Sequence, residues 1–155
     1  MDQILYWDAV ALESERLAGN HIEGGTGTPV GTSRALAIAR VAMHDAHTSA
    51  VAAGHATYLT GVPAAPVGAS PDAAVAVAAH TTLTALYPSQ VPRLDRALQH
   101  AGLRGRGLAA GTAHGLSVAQ ELLTRVDDPD LSAWICRSFA VDVAGWIDDR
   151  AADVR

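Results

Sequence analysis

The sequence predicts an all-α protein, a helical bundle of about five or six helices, on three observations. Hydrophobic residues make up 49% of the 155 residues but aromatics only 5%, so the core must come mostly from Ala, Leu and Val. Such residues pack closely as helices and fill poorly the wider gap between two sheets. Apolar positions recur at three- and four-residue spacing along most of the chain, the period of one helix face. No Asn-Gly hairpin and no convincing pair of alternating strands is present.

A first amphipathic helix is predicted over residues 5–17, with Leu5, Ala9, Leu12 and Arg16 on one face. The Gly-rich connection that follows ends at Pro29 and reads as a linker between helices. Thr32 or Ser33 caps the second helix, whose core stripe is Leu36, Ala39, Met43, Ala46 and Ala50, and Gly54 ends it. Ser70-Pro71-Asp72 is a strong helix start: a hydroxyl cap, a proline in the first turn, and an acid facing the positive end of the helix dipole. That third helix runs to Tyr87, where Pro88 stops it. A fourth runs from about Pro92 to Gly102 with Leu94, Leu98 and Ala101 inward. The fifth, about Gly105 to Arg125, carries Gly107, Gly111 and Gly115 at four-residue spacing, continued by Ala119. Each helical glycine costs about 1 kcal/mol relative to alanine, so their repetition on one stripe predicts a helix packed very close there. A last stripe, Leu131, Ile135, Phe139, Val143 and Trp146, is again helical. We therefore expect a helical domain over residues 1–130 and a C-terminal helical tail over 131–155.

Composition excludes several function classes. A net charge of −5 without a basic run gives no electrostatic footprint for nucleic acid. All eleven positive residues are Arg, so these residues offer no Schiff-base or oxyanion-binding Lys. The single Cys136 excludes an internal disulfide and fits a reducing compartment. The first residues lack the basic start and apolar run of a signal peptide, and no window of about twenty residues is free of charge. A cytoplasmic protein without a membrane span is expected.

The candidate chemistry lies on the second helix. Arg40, His44 and His47, followed by Val51, share one face. Histidine titrates near neutral pH, so His44 or His47 could act as acid or base, with Asp45 and Arg40 as electrostatic help. With His80 from the next helix they could also ligate a metal, although His-x-x-His alone lacks the third ligand of a Zn site. The structural alternative makes His44 and Asp45 polar ties between helices, His47 a solvated side chain, and His80 a hydrogen-bonded core histidine. Arg34 and Asp45, three turns apart, would then pair with other helices, Glu13 and Glu121 being available partners. Ser33, Ser89 and Ser117 lack a Gly-x-Ser-x-Gly setting, and Arg104-Gly-Arg-Gly107 lacks the Lys and spacing of a phosphate loop.

Four blocks carry a family resemblance: Ile4-Leu-Tyr-Trp-Asp-Ala-Val-Ala-Leu, the stretch Thr32-Ser-Arg-Ala-Leu-Ala-Ile-Ala-Arg-Val-Ala-Met-His-Asp-Ala46, the stretch from Ala69 to Ser89, and the Gly-rich fifth helix. Together they resemble the N-terminal helical part of the bacterial vanadium-dependent haloperoxidases, within the superfamily of type-2 phosphatidic acid phosphatases. The resemblance implies a vanadate or phosphate site built from a Lys, an Arg-Pro pair, a Pro-Ser-Gly-His turn and a terminal His. Converging cationic donors are needed there because the oxyanion concentrates negative charge. Here Pro88-Ser89 is followed by Gln90-Val91, and there is no Lys and no Ser-Gly-His. The expected function is a haloperoxidase-like scaffold domain, inactive alone and without a cofactor of its own, acting as a subunit or remnant. A protein partner or a second copy would dock on the Gly107/Gly111/Gly115 stripe or on the tail's apolar face. The rival is a small cyclase- or isomerase-type enzyme using an apolar pocket lined by the Arg40–His44–His47 face.

Overall fold

The ends of the third predicted helix are encoded locally, and the rest of the bundle is arranged around it. In the computed structural model, Ser70 has extended backbone and its Oγ accepts the Ala73 N–H at 3.3 Å, with Pro71 and Asp72 in the first turn. At the other end the Tyr87 N–H closes on the Leu83 carbonyl, and Pro88 begins a single 3₁₀ turn, Pro88–Gln90. The structure describes residues 1–20, 29–51 and 56–126, and side chains other than those of residues 19, 20 and 29–32 among them. Five α-helices are described: α1 (Gln3–Asn20), α2 (Pro29–Val51), α3 (Pro71–Leu86), α4 (Val91–His100) and α5 (Leu108–Arg125). No strand occurs among the described residues, so the all-α bundle expected from composition and periodicity is observed. Met1–Thr124 forms one unit and Arg125–Arg155 a separate one. The predicted tail helix and the Gly54 stop lie outside the described residues.

α3 is the central helix. Ala73, Ala74, Val75, Ala76, Ala78, Ala79, Thr82 and Leu83 are all buried, on nearly every side. An all-round apolar helix belongs in the interior, and α3 packs against α1, α2 and α4. Its alanines leave little side chain between backbones, so neighbouring helices approach closely. The core cluster joins Trp7, Val10 and Ala11 of α1 to Ala35, Ala39 and Met43 of α2 and Val75, Ala79 and Leu83 of α3, closed by Tyr87 and Leu94.

α1 departs from expectation in which face it buries. Trp7, Val10, Ala11 and Ser14 are inside, whereas Leu5 is 70% and Leu12 47% exposed. Both stripes have helical spacing, so periodicity alone does not choose between them. The indole of Trp7 removes more apolar area from water than either leucine does, and the helix turns that side inward. On α2 the expected Ala39, Met43 and Ala46 are buried, joined by Ile38, Ala42 and Asp45. On α4, Leu94 and Ala101 are buried as expected.

The glycine stripe finds its close neighbour within the chain. A Cβ on Gly111 would stand 2.3 Å from the Ser70 carbonyl oxygen, and one on Gly115 only 2.2 Å from that of Ala74. α5 therefore lies with its backbone against the start of α3. Gly107 is not helical: at φ +74° it forms the turn before α5, and its carbonyl accepts the Ser70 N–H at 3.0 Å. This corrects the expectation that the Gly107/Gly111/Gly115 stripe is a docking surface for a partner or second copy. α3 already occupies it.

Candidate functional site

The polar residues singled out on α2 separate into two roles once the loop after the helix is in place. Asp45 is fully buried. Its Oδ1 accepts the Tyr58 N–H and its Oδ2 the Leu59 N–H, each at 2.8 Å. Oδ1 also lies 2.9 Å from His44 Nδ1. The carboxylate thus holds the returning chain against α2, and it satisfies the amide of Leu59, which would otherwise be buried without a partner. Its partners are backbone amides of the following loop and the adjacent histidine, which corrects the expectation that it pairs with another helix; Glu13 was expected to meet an arginine across helices. Glu13 instead makes a two-pronged bond to Arg16 at 2.7 Å, which holds its carboxyl below the usual range. With its oxygens engaged in this way, Asp45 serves the fold and is not placed to act on a substrate.

His44 is held by that anchor. The bond from Nδ1–H to Asp45 directs Nε2 away from it, and the ring lies against Tyr58 with centroids 4.5 Å apart. Its side chain is 39% exposed. His47 is half-buried and Arg40 exposed, so the Arg40–His44–His47 face looks outward. Arg40 Nε donates to Asp8 Oδ1 of α1 at 2.8 Å, a bond near the surface between two helices.

His80 stands apart from this face. Its Nε2 is 2.8 Å from Asp95 Oδ1 on α4, and its ring meets Trp7 edge-on at 6.2 Å. It is the hydrogen-bonded histidine of the structural alternative, tying α3 to α4. His44, His47 and His80 are not brought together, and no group of three His, Cys, Asp or Glu among the described residues is placed to hold a metal.

Two polar clusters escaped the sequence reading. Buried His114 of α5 lies with Nε2 2.7 Å from Ser49 Oγ of α2, and burial pushes its imidazole pKa down. The Ser49 hydroxyl donates to the Asp45 carbonyl, so its oxygen accepts from His114 Nε2–H. A serine nucleophile would instead donate to its histidine. The pair therefore fastens α5 to α2. Position held the clue: His114 sits between Gly111 and Gly115, on the side of α5 that the glycines bring inward.

The second cluster joins α1 to the α3–α4 corner. Tyr87 Oη donates to Glu15, and burial with that carboxylate raises the phenol pKa far above its ordinary value. Arg93 Nη2 donates to Ser14 Oγ and, at 2.9 Å, to Gln90 Oε1. Gln90 Nε2 in turn donates to the Ser14 carbonyl at 2.9 Å. Burial lowers the Arg93 pKa. Ser14 and Glu15 follow Trp7 by seven and eight residues, so a correct choice of the α1 face would have placed both inside.

The family model for the vanadium chloroperoxidase N-terminal domain matches residues 1–102, which cover α1 to α4. No curated protein and no solved structure gives a match.

Proposed function

Because the chain belongs to the vanadium chloroperoxidase N-terminal domain family, we propose that it is a helical scaffold domain of a haloperoxidase-type enzyme, working with a separate set of oxyanion-binding residues. One observation carries this reading. The candidate acid, base and cation groups Arg40, Asp45 and His80 each bridge to another element of the bundle, and Asp45 also fixes His44. These are the bonds of a support.

The residues present do not fit the family's vanadate. An oxyanion of that charge needs several cationic donors converging on one point. Arg16, Arg40 and Arg93 are committed to Glu13, Asp8 and the Ser14–Gln90 pair, each to its own acceptor. There is no Lys and no Ser-Gly-His in the 155 residues. No catalytic step through vanadate is assigned to this chain.

The test is a bromination assay of the pure protein with vanadate, bromide and peroxide. It is repeated after adding a polypeptide that carries the family's Lys, Arg-Pro, Pro-Ser-Gly-His and His set. The expected result is no vanadate-dependent turnover alone and a stable complex with the added polypeptide. Vanadate-dependent turnover by the chain alone would overturn the proposal, as would failure to associate.

A further inference from the structure

We propose that His44 and His47 form a two-histidine site for a borderline divalent cation, Zn(II) or Cu(II), on the outward face of α2. The inference is independent of the scaffold reading. It begins with the support behind His44. A metal-binding imidazole characteristically donates its other ring N–H to a carboxylate, which fixes the tautomer and makes the free nitrogen a better ligand. Asp45 stands in that position, with Oδ1 2.9 Å from His44 Nδ1. The carboxylate is itself immobilised, since the Tyr58 and Leu59 amides hold it from the loop side. Tyr58 lies against the imidazole and restricts its rotation.

His47 supplies the second ligand. Residues three apart on a helix have Cβ atoms about 5–6 Å apart, within reach of one ion between two imidazoles. Neither His44 Nε2 nor the His47 ring is hydrogen-bonded to a described residue, so both are available. Arg40, one turn earlier on the same face, directs its charge into Asp8, which limits repulsion of a cation. Two imidazoles suit Zn(II) and Cu(II) better than the oxygen-seeking Mg(II) or Ca(II). With no third protein ligand among the described residues, the remaining positions take water or a donor from a partner.

The experiment titrates Cu(II) and Zn(II) into the metal-free full chain, followed by calorimetry and, for Cu(II), electron paramagnetic resonance. The same titrations are run on His44→Gln, His47→Gln and, as a control, His100→Gln at the exposed C-terminal end of α4. We expect one equivalent bound with two imidazole nitrogens, affinity falling at least tenfold in either of the first two variants, and no change in the third. Zn(II) should also protect His44 and His47 of the unaltered protein from acylation by diethyl pyrocarbonate, a readout that needs no variant to fold. Unaltered affinity in His44→Gln or His47→Gln, absence of protection, or weak binding spread over many sites (an adventitious ion only) would overturn the proposal.

Discussion

Replacing Gly115 with alanine inverts the usual effect of that substitution in a helix. At an unobstructed helical position Gly→Ala stabilises by about 1 kcal/mol, because alanine has less backbone freedom to lose. At Gly115 the new Cβ meets the Ala74 oxygen at 2.2 Å and the Ala74 C and Cα at 2.9 Å. All three are backbone atoms of the central helix, so no rotamer change relieves the contact. Carbon–oxygen contacts between packed helices normally lie at about 3.3–3.6 Å, so α5 must retreat by roughly 1 Å. That movement loosens His114, Val118, Ala119 and Leu122, all buried on the same side of α5. Overpacking of this kind costs about 1–3 kcal/mol, and a clash of backbone on backbone lies at the upper end. After subtracting the gain in propensity we expect a net loss of about 2 kcal/mol, or roughly 4–8 °C in Tm for a chain of this size. Urea and thermal unfolding followed by circular dichroism at 222 nm measure it. Ala113→Gly, on the exposed side of the same helix, sets the propensity scale and should cost about 1 kcal/mol. A Gly115→Ala protein as stable as the parent, or more so, would refute the close approach of α5 to α3.

Three further outcomes are expected. Asp45→Asn keeps the shape but replaces one accepting oxygen by an NH₂ that faces N–H donors; stability should fall by about 3 kcal/mol, and the Tyr58 and Leu59 amides should lose protection in hydrogen exchange. His114, whose pKa burial depresses, leaves the unfolded chain binding more protons than the fold below the ordinary value of 6.5. Stability should therefore decline as pH drops from 6.5 toward the lower folded value, and His114→Gln should flatten that part of the urea-midpoint curve against pH. Tyr87 has the opposite linkage: its raised pKa keeps the phenol protonated in the fold, so its contribution is full below pH 10 and is lost as pH rises beyond it. Absorbance at 295 nm should show one of the three tyrosines ionising only with unfolding, and Tyr87→Phe should abolish that late step.

Helix type and the ends of α3 were legible because they depend on neighbours along the chain, whereas α2 begins at Pro29, ahead of the expected Thr32 or Ser33 cap, and α5 at Leu108, after the expected Gly105. The Ser70-Pro71-Asp72 start and the Pro88 stop of α3 act through a cap, a fixed φ and a missing N–H, all within one turn. The glycine stripe likewise announced a close helix from its cost alone. The candidate residues of α2 were legible as unusual polar groups in an alanine-rich segment, but their roles were not. Asp45 takes its partners from a loop thirteen and fourteen residues later. His80 takes its partner from α4 and His114 from α2, at separations where no periodicity applies.

The sequence by itself therefore determined an all-α chain, the start and stop of α3, its kinship with the haloperoxidase N-terminal domain, and the lack of the family's oxyanion-binding residues within these 155 residues. Only the tertiary structure decided which side of α1 is buried, that α3 fills the glycine stripe, and that Asp45, His80 and His114 fasten elements together. The physical reason is range. Propensity and capping are settled within a few residues, whereas the role of a buried polar group depends on whichever distant donor or acceptor the packed backbone delivers to it.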